Sequence, residues 1–162
     1  FIGNDNIEDT NTDKEYEKND AIIKEARKLR IMGQAKKVLE ITSELYPENK
    51  KQLEDVILIR GAAFKDLRLF NESKKCVEEA INIGNKSPNP YNLGGVIELM
   101  MGNINTAELF FDKAIELKST KIGMTNIEVT ELLNLINKNE DKLRIIRLLK
   151  DKSPKQFEWL TI

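Results

Sequence analysis

The stretch YNLGGVIELMMGNINTAELFFDKAIEL, residues 91–117, reads as two short amphipathic helices divided by a turn, and ILIRGAAFKDLRLFNESKKCVEEAINI, residues 57–83, reads the same way. Laid over each other without a gap, Gly61 falls on Gly95, Leu67 on Met101, Phe70 on Ile104, Ser73 on Ala107, Val77 on Phe111, Ala80 on Ala114 and Ile83 on Leu117. Every pair is 34 residues apart. A period of that length, with small and large residues in fixed order, is the sequence sign of stacked helical hairpins. An earlier copy fits at an offset of 35: Ala26 takes the place of Gly61, Met32 that of Leu67, Val38 that of Ser73, Thr42 that of Val77 and Leu45 that of Ala80. It is the weaker copy, since Val38 and Leu45 replace small residues.

The recurring order has a packing reason. A small side chain lets two antiparallel helices approach to about 8–10 Å, and bulky ones fill the gaps beside it. Ala26, Gly61, Ser73, Ala80, Gly95, Ala107, Phe111 and Ala114 are therefore the expected repeat-packing residues. The pattern resembles the tetratricopeptide repeat, over roughly residues 20–117 and in three consecutive copies. It departs from that pattern where Leu is expected before the first small residue, at Glu25, Arg60 and Gly94, and where an aromatic is expected, at Glu98. A frame with one more residue in that helix puts Leu93 and Gly94 in register and replaces Glu98 with Ile97; both frames stand at this point.

Taken in order, residues 1–20 hold seven acids against two lysines, a balance of −5 that leaves +4 for the rest of a chain at −1. Residues 1–11 are expected to be a mobile acidic segment with little to bury. The repeat domain is expected over 12–150, with repeats at about 20–48, 54–86 and 88–119 and a degenerate pair at 125–150. Thr12 with Glu15 and Thr125 with Glu128 have capping-box spacing, and Gly33 suits a left-handed cap. The spacing predicts helices at about 34–46, 49–67, 71–83, 126–137 and 140–150. Ser87-Pro88 and Ser153-Pro154 are predicted helix starts. In the fourth pair, Val129 or Thr130 stands where Gly95 projects, and Asp141 or Lys142 where Ala107 does. Such a pair closes a stack, and in the tail, 151–162, Phe157, Trp159 and Leu160 are expected to cover its last apolar face. The fold class read from the spacing is all-α, and the resemblance implies a right-handed α-solenoid of about three hairpins with a degenerate capping pair.

Composition bounds the chemistry. Lys and Arg number 26 against 27 Asp and Glu, so no net charge draws the chain to nucleic acid or membrane, and no run of 18 apolar residues marks a membrane span. The one cysteine, Cys76, excludes an internal disulfide and is expected to be a buried thiol. The absence of histidine removes the usual zinc ligand and general base. No phosphate loop or metal-spaced cysteine set occurs, so neither cofactor nor metal is expected, and no nucleophile has a base beside it. The chain reads as non-enzymatic and cytoplasmic by default, although a sequence that begins at Phe1 leaves room for a targeting segment upstream. Lys24, Arg27, Lys28, Arg30, Lys36 and Lys37 form a basic cluster without interleaved aromatics, which reads as a solvated helix surface.

The resemblance implies a concave groove, lined by the first helix of each hairpin, that holds a peptide or helix of another protein. The carboxylate clamp of one well-known subset is absent, since Ile23, Arg27, Ile59, Asn89 and Leu93 occupy its places. One residue round from the core positions lie Ile23, Arg27 and Arg30 in the first copy, Leu58, Ala62 and Lys65 in the second, and Asn92, Val96 and Leu99 in the third. These nine are the expected groove, apolar in its floor and basic near its start, suited to an amphipathic segment with acidic flanks. An adaptor or chaperone-like holder, monomeric, is the leading expectation. Its rival is a structural subunit that self-assembles through apolar C-terminal helices.

Overall fold

The computed structural model describes the backbone over residues 2–161 and side chains over 13–161, and among these residues the chain is all-α, with eight helices and no strand. It divides into two compact units, Phe1–Asn85 and Lys86–Ile162. The first holds α1 (Ile2–Ile31), α2 (Ala35–Thr42), α3 (Lys50–Asp66) and α4 (Phe70–Ile83). The second holds α5 (Asn89–Met100), α6 (Ile104–Glu116), α7 (Asn126–Leu135) and α8 (Asn139–Lys152). The expected mobile segment, 1–11, lies outside the residues whose side chains are described.

The period recurs in the backbone itself. Gly33, Arg68 and Gly102 all sit at positive φ, 76°, 62° and 84°, immediately after the first helix of each hairpin. The amide that follows each of them closes the same long bond back into the helix: Gln34 N to Leu29 O at 2.9 Å, Leu69 N to Phe64 O at 2.9 Å and Asn103 N to Glu98 O at 2.8 Å. This is the Schellman arrangement, in which a left-handed residue lets the chain reverse while the orphan carbonyls are satisfied. The second helices also end alike: Gly84 and Lys118, again 34 apart, have φ of 80° and 75°. The gap-free frame therefore holds through the turn of the third hairpin, with Glu98 in the place of Phe64.

Small residues sit where the hairpins close. Ser73 Oγ donates to the Gly61 carbonyl at 2.6 Å, joining α3 to α4 directly. In the second unit a Cβ on Gly95 would stand 2.5 Å from the Phe111 ring, so α5 and α6 meet at a distance only glycine permits. Ala26, Ala80, Ala107 and Ala114 are all buried.

Helix ends differ from the sequence reading where tertiary partners act on them. α1 is already helical at Thr12, where a start is expected. α2 stops at Thr42 instead of near Tyr46, which leaves Leu45 outside the helix. Arg60, one of the departures from the repeat pattern, explains this, since its Nη1 donates to Leu39 O at 2.9 Å and to Thr42 Oγ1 at 2.7 Å. Thr42 in turn donates to Val38 O, and Ser43 to Glu40 O, so the terminal carbonyls are taken by side chains and the helix does not extend. α5 begins at Asn89, a residue later than expected, with Ser87 Oγ accepting from Asn89 N. The Thr125–Glu128 capping box is present in full.

The last two helices do not repeat the hairpin geometry, because α8 packs on α6. Lys152 fixes that contact: its Nζ lies 2.7 Å from Asp112 Oδ1 and 3.5 Å from Glu108 Oε1, both on α6, and 3.2 Å from Asp151 Oδ2. The hydrogen bond that Lys152 donates to the Asp112 carboxylate chiefly holds its ammonium above its ordinary range, against the opposing effect of burial. A folded-state pKa above the unfolded one gives stability that is complete below the ordinary lysine range and is lost as pH rises through the folded value. Lys152→Met should therefore cost about 1 kcal/mol at pH 7. The gap between variant and wild type in urea midpoint should close only at strongly alkaline pH.

After α8 the chain turns repeatedly over 154–159 without forming the helix expected at Ser153-Pro154. Phe157 and Leu160 enter the core of the second unit beside Val129, Ile145 and Leu149, whereas Trp159 stays exposed. The tail thus covers the apolar face of α8 with two of its three expected residues. Gln156 holds it in place by bridging to the 119–124 loop: Ile122 N donates to Oε1 at 2.8 Å, and Nε2 donates to Ile122 O at 2.8 Å and Met124 O at 3.3 Å.

Candidate functional site

The nine expected groove residues do not form one accessible surface. In the first unit Ile23, Ala62 and Lys65 are buried, because α3 is packed by α1, α2 and α4 together and has little free face. Lys65 Nζ lies 3.7 Å from Asp66 Oδ1. The Arg30 guanidinium forks onto the same carboxylate, Nε to Oδ2 at 2.9 Å and Nη2 to Oδ1 at 3.3 Å, tying the last turn of α1 to the last turn of α3. Arg27 is exposed, with Nη2 at 3.8 Å from Asp55, and Leu58 is half-buried.

The second unit departs further. Val96 and Leu99 belong to the core built with Phe111, Leu132 and Phe157, so they are packing residues and not groove floor. Asn92 is occupied by its own loop: Nδ2 donates to Lys121 O at 2.5 Å and to Ser119 Oγ at 3.2 Å, and Oδ1 accepts from Gly123 N at 2.8 Å. The irregular 119–124 loop and the tail, neither of which has a helical period, claim the side of α5 that the spacing leaves free.

An accessible concave site lies elsewhere in the first unit. Because α2 stops short, an open cleft of about 580 Å³ remains between α1 and the segment after α2. Ile22, Ile41, Leu45 and Tyr46 supply its apolar lining, and Lys14, Glu15, Lys18, Asn19 and Glu44 its polar part. Gln52 sets its edge, donating from Nε2 to Tyr16 O at 2.9 Å and so fixing α1 against the start of α3. Tyr46 and Ile41 are exposed although apolar, the arrangement of a surface that lacks its cover. The sequence carried one signal for this cleft, the weak first copy in which Leu45 stands where Ala80 closes the second.

Groups of chemical interest elsewhere are quiescent. Cys76 is half-buried, and burial raises its thiol to about 11 in spite of the nearby Arg60 guanidinium, so the reactive thiolate is scarce at neutral pH. Among the described residues no three Cys, Asp or Glu side chains converge as a metal site, and no helix is long and apolar enough to cross a membrane. In sequence comparisons no protein-family model and no curated protein matches the chain.

Proposed function

We propose that the chain is a non-enzymatic protein-interaction module of the tetratricopeptide class of α-solenoids, an adaptor or chaperone-like holder for an amphipathic segment of a partner protein. The observation that carries the class is the threefold recurrence of one turn, with Gly33, Arg68 and Gly102 left-handed and the same amide-to-carbonyl bond closing each helix. That recurrence is independent of side-chain similarity and keeps the offsets of 35 and 34 found in the sequence.

The place we propose for the partner segment is the cleft beside α1, and not the nine-residue groove. Its apolar lining accepts one or two anchors, and a few buried anchors supply most of the affinity in such sites. Its rim is balanced in charge, Lys14 and Lys18 against Glu15 and Glu44, so the apolar anchors rather than a charged flank select the segment. The rival reading, self-assembly through the C-terminal helices, loses its motive where Phe157 and Leu160 cover Ile145 and Leu149.

The test is selection of binding peptides from an amphipathic library displayed against the full chain. The selected peptides should then be measured against Ile41→Asp and Tyr46→Asp, whose exposed positions leave the fold intact by circular dichroism. Each substitution should weaken binding at least about tenfold, roughly 1.4 kcal/mol, while Leu135→Asp in the second unit should leave it unchanged. Retained binding by both cleft variants would remove the cleft from consideration.

A further inference from the structure

The turns that close the first two hairpins form a second exposed feature, distinct from the cleft. The Arg30–Asp66 fork joins the last turns of α1 and α3, and Leu67 packs against the cluster of Ala26, Leu29 and Ala35, so both turns lie on one edge of the first unit. From that edge project Ile31 and Met32, 87% and 66% exposed, and Leu69 beside them. Lys28, Lys36, Lys37 and Arg68 are exposed around them. Among the described residues none of these four cations has a carboxylate within ion-pair distance, and residues 27–37 contain no acid at all. The one acid in the second turn, Asp66, is already engaged by Arg30 and Lys65.

We infer that this edge docks on an anionic lipid surface, with Ile31, Met32 and Leu69 entering the interface and Lys28, Lys36, Lys37 and Arg68 meeting the headgroups. The apolar chains protrude, and the unit's cleft is lined by other residues, so the edge has nothing with which to receive a peptide anchor. Its side chains must themselves be received. A fluid interface does this without a matching pocket, while lysines and arginines keep their charges at headgroup depth. One signal alone gives marginal attachment, and here the basic and apolar signals coincide on one edge. The chain's overall balance of −1 does not oppose this, because residues 1–20 carry −5 and the rest of the chain +4. Along α1, Asp20 is roughly 17 Å from Ile31 at about 1.5 Å per residue, some two screening lengths at physiological salt.

The experiment is sedimentation of the full chain with vesicles of phosphatidylcholine alone or with about 30 mol % phosphatidylserine, the lipid that supplies the negative surface potential. Binding is expected to the phosphatidylserine vesicles only, and to fall with added salt. Ile31→Ser with Met32→Ser, and Lys36→Glu with Lys37→Glu, should each reduce it at least about tenfold. Arg68→Gly removes one charge while relieving a left-handed backbone, so it cannot act by unfolding the protein, and should weaken binding about fivefold. The inference is overturned by any of three results: no preference for phosphatidylserine; full binding by the Ile31 and Met32 double variant, which would mean adsorption without insertion; or soluble polyglutamate competing as strongly as vesicles, which would make the ligand an acidic polypeptide. None of these results bears on the peptide cleft.

Discussion

Replacing Gly95 with leucine should destabilise the second unit by about 3 kcal/mol or more, and replacing it with alanine by about 2 kcal/mol. The alanine effect is the more informative, because helix propensity alone would make Gly→Ala stabilising by about 1 kcal/mol. That gain is opposed by contact: a Cβ at this position would lie 2.5 Å from Phe111 Cε1 and 2.6 Å from Cδ1. Phe111 is buried among Val96, Ala107 and Leu149 and has no free volume to move into, so α5 and α6 must separate. Gly94 is the internal control. Its Cβ would meet Phe110 at 2.8 Å, but that ring is only half-buried, with Tyr91 as an aromatic neighbour at 6.5 Å, and can swing outward. Gly94→Ala should therefore change stability by less than about 1 kcal/mol, propensity and contact nearly cancelling. Urea midpoints of the two variants, with hydrogen exchange to show that protection is lost over 89–116, decide the matter. Equal effects at both positions would mean that the hairpin closes in a different register.

Much of this architecture is legible in the sequence because its determinants are local or periodic. Gly33 and Gly102 announce their turns, Asn49 and Thr125 cap the helices they precede, and the small residues repeat at the interval of the hairpins. Arg68 does not announce its turn, since nothing about arginine favours positive φ; only its place 34 residues before Gly102 marks it. The end of α2 is illegible for another reason. Arg60, eighteen residues beyond Thr42, takes the Leu39 carbonyl that the next helical amide would need and is held there by the Thr42 hydroxyl as well.

The groove failed for a physical cause that applies to both units. Assigning one helical face to the core and its neighbour to a ligand assumes that each helix has one packing partner, whereas α3 has three. Its Val56-Ile57-Leu58-Ile59 run, apolar on more than one face, carried that information. On α5, the competing partner is a loop and a tail with no period to detect, and Asn92 is drawn into holding the loop. What the sequence could not give is which polar side chains are spent inside the fold, because a hydrogen bond such as Gln156 to Ile122 leaves no pattern along the chain.

The tail offers the second large effect. Phe157→Ala should cost about 3–5 kcal/mol, the range for truncating a phenylalanine in a core that relaxes only in part. Phe157 is fully buried, and its neighbours include Ile145, Leu149 and Leu160, so the space it leaves is lined by side chains fixed on α8 and in the tail itself. Its backbone is held as well, by Lys150 Nζ donating to Phe157 O at 3.2 Å and to Leu160 O at 2.5 Å. Trp159→Ala, two residues away and larger in the surface it removes, should cost less than about 1 kcal/mol because the indole is exposed. The contrast is sharp because sequence alone puts the two side by side as covering residues. Trp159 is also the chain's one tryptophan, so its fluorescence reports on the tail without a label. In Phe157→Ala its anisotropy should fall before the far-ultraviolet helix signal is lost, as the tail leaves α8 first. If instead Phe157→Ala kept the wild-type urea midpoint, the tail would not be part of the second unit's core and the apolar face of α8 would need another cover.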